Sequence, residues 1–118
     1  MAEATAEFLR SRGLDVRIAS TGREGLEAAA EFQPEIVLCD IRLPDITGSD
    51  VALALRAMPG AKNAVIAIHS AMTESDLGKP SRQVRSAVNL FLPKPITEEK
   101  LDTLISLLKS QTKKTLTC

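Results

Sequence analysis

Tryptophan and tyrosine are absent from this sequence, and its 118 residues hold only three phenylalanines. So few aromatic rings leave no material for a base-stacking platform or an aromatic cage. Charge of one sign is missing too, since 15 lysines and arginines balance 15 aspartates and glutamates. Nucleic-acid binding needs a basic surplus gathered on one face, so none is expected within this chain. Histidine occurs once and no Cys-x-x-Cys spacing is present, which argues against a zinc site. The two cysteines are not expected to be partners: Cys39 closes an apolar run, where a thiol acts as a small apolar group, and Cys118 is expected to be mobile. This usage fits a reducing, cytoplasmic setting. No apolar run approaches the roughly 18 residues of a membrane span, and no basic-then-apolar secretory pattern is visible, so no membrane association is expected.

What is present is ordinary globular material, 44% hydrophobic and 25% charged, of a size suited to one core. Residues 1–112 are expected to form one domain, with 113–118 a frayed tail or the start of a linker. Residues 2–12 carry a lopsided apolar stripe at helical spacing, stopped by Gly13. Asp15-Val16-Arg17-Ile18-Ala19 alternates, as an edge strand with one solvated face does. Thr21-Gly22-Arg23-Glu24 matches a capping box and opens a helix running to Phe32, before Pro34. Ile36-Val37-Leu38-Cys39 reads as a strand buried on both faces. A helix from Ser49 follows, with Val51, Ala54, Leu55 and Met58 on one side and Pro59-Gly60 as its stop. Ala64 to Ile68 is a second buried strand. Gly78 and Pro80 interrupt the next stretch, which predicts an irregular segment and then a short helix through Val84 and Val88. Leu90-Phe91-Leu92 is a third strand, and Thr97 caps a last helix bearing Leu101, Leu104, Ile105 and Leu108. Alternating strands and helices predict an α/β fold, a parallel sheet with helices on both faces.

In such sheets ligands gather at the carboxyl ends of the strands. Three apolar strands deliver Asp40, Ser70 and Lys94 there. A carboxylate in that position can be a metal ligand, a general base or a phosphoryl-accepting nucleophile, or it can simply cap the following turn. Taken singly, Ser70 reads equally as a turn former and Lys94 as a surface lysine between two prolines. Taken together, a nucleophilic Asp40, a hydrogen-bonding Ser70 and a charge-pairing Lys94 make a sensible pocket for an aspartyl phosphate. His69 is expected to be a solvated strand-end histidine.

These pieces carry a resemblance. Ile36 to Gly48, with its apolar strand, Asp40 and the Leu43-Pro44-Asp45 loop, joins Ile66 to Ala71 and Phe91-Leu92-Pro93-Lys94-Pro95. In that order they resemble the receiver domain of two-component response regulators, a flavodoxin-like fold, over about Ala2 to Leu108. The resemblance implies a signalling domain, not an enzyme, whose Asp40 is the phosphoacceptor, served by a sensor histidine kinase or a phosphotransfer protein. It makes Ser70 and Lys94 the phosphoryl contacts, Phe91 the aromatic switch, and the Arg42 backbone carbonyl a ligand, with Asp40, for Mg²⁺. It also makes the Lys94-Pro95 bond cis.

One departure accompanies the match. A receiver's central first strand, which ends in the acidic pair that holds Mg²⁺, is absent from this sequence. Mg²⁺ binding is therefore expected to be weak and phosphorylation poor. A vacancy beside Ile36–Cys39 leaves an apolar edge, which predicts either a shift of the Asp15–Ala19 strand or a homodimer formed by edge pairing or strand exchange. A degenerate receiver serving only as a protein-interaction module is the alternative function. A phosphotransfer hydrolase is disfavoured, because Arg42 stands where such enzymes carry a second aspartate.

Overall fold

A computed structural model of the chain describes residues 2–70, 82–93, 97–106 and 114–118. Helix α1 (Ala2–Ser11) leads through Gly13, at φ 86°, into strand β1 (Asp15–Ile18). The Leu14 amide donates to the Leu9 carbonyl at 3.2 Å and closes the turn. Helix α2 (Gly22–Phe32) begins on Thr21, whose hydroxyl accepts from the Glu24 amide at 3.0 Å. The Glu24 carboxylate answers by accepting from the Ser20 amide at 3.0 Å, one residue earlier than the usual box. The helix stops at Gln33, which turns left-handed at φ 53° before Pro34.

Strand β2 (Ile36–Asp40) is followed by helix α3 (Gly48–Arg56), capped by the Thr47 hydroxyl. It starts one residue before the position read from sequence and ends two before Met58. Strand β3 (Val65–Ser70), helix α4 (Arg82–Ala87), strand β4 (Leu90–Pro93) and helix α5 (Glu98–Ser106) complete the expected alternation. The Gly78 and Pro80 interruption, Leu108, and the Lys94-Pro95 bond lie outside the described residues.

Residues 114–118 are not a frayed tail. Lys114–Thr117 form strand β5, and the sheet order is β1-β5-β2-β3-β4 with every pair parallel. The chain's own last strand sits where the sequence left a vacancy. It pairs Val16 with Thr115 on one side and Val37 with Leu116 on the other. The apolar edge of β2 is thereby covered, and β1 has not moved inward, so the edge that suggested a dimer is already paired within the chain. The physical reason lies in the sequence of β5: β-branched threonines alternate with Leu116 and Cys118, a strand period that backbone pairing on both sides can hold.

Each face of the sheet has its own core. Val37, Cys39, Ile66, Ile68, Leu116 and Cys118 pack with Ala29 of α2 and with Val51, Ala52 and Leu55 of α3. Ile36, Leu38 and Ala67 pack on the opposite side with Ala6 and Leu9 of α1 and Leu101 of α5. The start of β5 is held further by Phe32, whose ring lies 4.8 Å from the Arg17 guanidinium and 5.5 Å from the Lys114 ammonium.

Candidate functional site

Four buried residues, Ile36 to Cys39, fix β2 in the middle of the sheet and bring Asp40 to its carboxyl end, half-buried. There the Asp40 amide donates to the Cys118 carbonyl at 2.8 Å, and its carboxylate accepts from the Arg42 amide at 3.1 Å. The loop that follows folds back on the strand. The Ile41 amide donates to the His69 carbonyl at 3.1 Å, the Gly48 amide to the Ile41 carbonyl at 2.9 Å, and Arg42 bridges Thr47. Gly48 is required by close approach: a Cβ there would lie 2.5 Å from the Asp40 carbonyl oxygen.

The neighbouring strands end level with β2. Asp40 is in register with His69, and Ser70 with Pro93, so Asp40 and Ser70 share one rim on adjacent strands. Lys94 follows Pro93 in sequence but lies outside the described residues. Phe91 stands opposite Ile68, half-buried against the core that contains Val37 and Ile68. His69 is half-buried beside Asp40 rather than solvated.

Two residues at this end of the sheet have roles that sequence reasoning missed. Asp45 accepts hydrogen bonds from the amides of Gly22 at 2.8 Å, Arg23 at 2.9 Å and Ile46 at 2.9 Å. The bonds from Arg23 and then Gly22 hold its carboxyl below the usual carboxylate range. Its carboxylate therefore serves the first turn of α2, where the helix dipole favours negative charge. No local signal reveals this, because the two segments are more than twenty residues apart. Cys118 is the second. Its Sγ lies 3.1 Å from that of Cys39, both thiols are free and both are buried, so the cysteines are neighbours, contrary to expectation. The alternation from Thr115 to Cys118 was the available signal. On Cys39 the hydrogen bond it shares with Cys118 and its burial push the thiol pKa up, and the neighbouring negative charge of Asp40 adds to them.

A groove of about 760 Å³ between α3 and α4 is lined by Leu53, Arg56 and Lys62 among others, and none of its lining residues belongs to the Asp40 rim. Arg56 is occupied there as a structural tie. Its guanidinium donates to the carbonyls of Ala87, Lys62 and Ala64 and to the Asn89 side chain.

Among the described residues no three His, Cys, Asp or Glu side chains converge. The strand beside β2 ends in Thr117-Cys118, with the Cys118 thiol turned into the core. Mg²⁺ prefers a near-octahedral oxygen set, toward which the described rim presents the Asp40 carboxylate.

A parallel α/β domain with an aspartate at the carboxyl end of an inner strand defines a class of signalling modules. The family model "Response regulator receiver domain" matches residues 1–106, and the chain belongs to that family, found in two-component systems. It is 34% identical over 110 residues to sensor histidine kinase AtsR of Burkholderia thailandensis, a match over 92% of this chain and 18% of that kinase. The chain thus spans less than a fifth of that relative's length. A CheY-like receiver domain from Methylobacillus flagellatus has the same fold, with TM-score 0.78 and 27% identity over 90% of this chain and 86% of that one. The receiver domain of sensor histidine kinase PA1611 from Pseudomonas aeruginosa superposes at TM-score 0.73 and 23% identity, covering 89% and 84%. That structure holds a magnesium ion in its active-site cleft. No helix among the described residues is long and apolar enough to cross a membrane.

Proposed function

We propose that Asp40 is the phosphoacceptor of a cytoplasmic receiver domain, taking its phosphoryl group from a sensor histidine kinase or phosphotransfer protein. The observation that carries this reading is the register: Asp40 ends an inner strand and Ser70, in register with Pro93, ends its neighbour at the same rim. A carboxylate oxygen of Asp40 forms a bond to phosphorus as the bond from phosphorus to the donor's imidazole nitrogen breaks, and the departing imidazole takes up a proton. Lys94 pairs with one phosphoryl oxygen and Ser70 donates to another, while Phe91 follows the movement of Ser70.

The same geometry favours slow phosphorylation. With Asp40 and the Arg42 carbonyl as the only donors proposed for Mg²⁺, little positive charge offsets the repulsion between the carboxylate and an anionic donor. That specific feature favours a second reading, a degenerate receiver that binds its partners without phosphate chemistry.

Incubation with an acyl phosphate and Mg²⁺, followed by intact mass, separates the two. Acid-labile addition of one phosphoryl group that disappears in Asp40→Asn supports the first reading. Asp50→Asn is the control, since Asp45 is committed to α2. No addition at any Mg²⁺ concentration, with partner binding unchanged by Asp40→Asn, supports the second.

A further inference from the structure

We propose that Cys39 and Cys118 are a redox site, closing to an intrachain disulfide that bolts strand β5 to the strand bearing Asp40. The backbone sets the pair opposite one another. The Cys118 amide donates to the Leu38 carbonyl at 2.8 Å and its carbonyl accepts from the Asp40 amide at 2.8 Å, which centres Cys118 on Cys39. Adjacent strands stand about 4.8 Å apart, inside the Cα separations of roughly 4.4–6.8 Å that disulfides span. Both side chains point to the same face, into the core beneath α2 and α3. Gly25 of α2 makes the space, because a Cβ there would lie 3.3 Å from the Cys118 sulfur. The two sulfurs, 3.1 Å apart, need to approach by only roughly 1 Å to bond.

Burial decides which thiol reacts first. Cys39 is fully enclosed, whereas Cys118 retains 8% exposure, and the elevated pKa of Cys39 disfavours its thiolate. The oxidant is a low-molecular-weight disulfide. The Cys118 thiolate attacks one of its sulfurs, forming a mixed disulfide and releasing one thiolate. The Cys39 sulfur then attacks the Cys118 sulfur, its proton going to solvent, and the second small thiolate leaves. Two protein thiols are oxidised and one disulfide is reduced to two thiols, so atoms and electrons balance. A dithiol reverses the sequence. The consequence for the fold is specific: oxidation ties residue 118 to residue 39 and removes the freedom of β5 to leave the sheet.

The test is a titration of the full chain with mixtures of oxidised and reduced glutathione, quenched in acid, alkylated under denaturing conditions and weighed intact. The expected result is a monomer in which both alkylation sites are lost together, with non-reducing proteolysis returning one cross-linked peptide pair containing Cys39 and Cys118. Cys39→Ala should trap glutathione on Cys118. Cys118→Ala should leave Cys39 at least about tenfold slower to react than Cys118 in the unmodified chain. Both thiols remaining alkylatable across the range, a persistent glutathione adduct on the unmodified chain, or cross-linking between chains would each overturn the proposal. None of these readouts involves phosphate, so they stand or fall separately from the role of Asp40.

Discussion

Strands β2 and β5 lie side by side, parallel and buried, yet they are made differently. Strand β2 presents Val37 and Cys39 to one core and Ile36 and Leu38 to the other, all fully enclosed. Strand β5 matches it on one face only, with Leu116 and Cys118. On its other face it buries Thr115 and Thr117, and the Thr117 hydroxyl has no hydrogen-bond partner among the described residues. A buried hydroxyl without a partner costs about 1–3 kcal/mol, so β5 holds its place less firmly than the strand it covers. The difference teaches that backbone pairing on two sides, with one good apolar face, suffices to seat a strand in the middle of a sheet.

The comparison breaks most completely if β5 is removed. Deleting residues 114–118 takes away both ladders that join β1 to β2, along with Leu116 and Cys118 from the core. The shortened chain is expected to lose cooperative unfolding, as followed by circular dichroism in urea, and to associate through the bared edge of β2. Next in size come Leu38→Ala and Leu116→Ala, each expected to cost about 2–5 kcal/mol because both side chains are fully buried. Near-equal losses would mean that β5 is seated as firmly on its apolar face as β2 is.

Smaller changes sharpen the contrast. Val37→Thr should destabilise by about 1–3 kcal/mol by creating in β2 the defect that β5 already has. Thr117→Val should stabilise by about 1 kcal/mol by removing it. Urea midpoints measure both, and opposite signs are the diagnostic result.

The last effect depends on pH and lies outside the two strands. The Asp45 carboxyl has a lowered pKa in the folded state, so its contribution is present above the unfolded carboxylate value of about 4 and is lost as pH falls through the folded one. Asp45→Ala should flatten this acid loss, seen as a shallower dependence of the urea midpoint on pH.

Much of this arrangement is readable before any coordinates. The stretches Ile36–Cys39 and Ala64–Ile68 are apolar without interruption, which only a strand covered on both faces tolerates, and the polar residues that follow them were placed at the rim by that fact alone. The alternation in Asp15–Ala19 correctly marked an edge strand. Thr21 and Thr97 announced their helices through local capping chemistry. Strand β5 escaped because its stability is not local. Four residues, two of them threonine, look like tail until the gap between β1 and β2 is known, and that gap is bounded by residues about eighty to a hundred positions away. The same holds for the Asp45 bonds to α2 and for Arg56, whose acceptors come from two separate segments. Short-range patterns expose periodicity and caps, while contacts made across the fold leave no imprint on neighbouring residues.

Amide hydrogen exchange at the seam between the two strands tests the central claim most directly, that the chain's own last strand completes the sheet beside Asp40. The amides of Asp40 and Cys118 donate across that seam, and the Ala19 amide donates to Thr117 from β1 on the other side of β5, each at 2.8 Å. They are predicted to be protected, with Cys118 exchanging only through openings that also release Asp40. Free exchange at Cys118 and Asp40 while Cys39, whose amide faces β3, stays protected would contradict the account, because it would leave β2 folded with nothing of this chain at its other side.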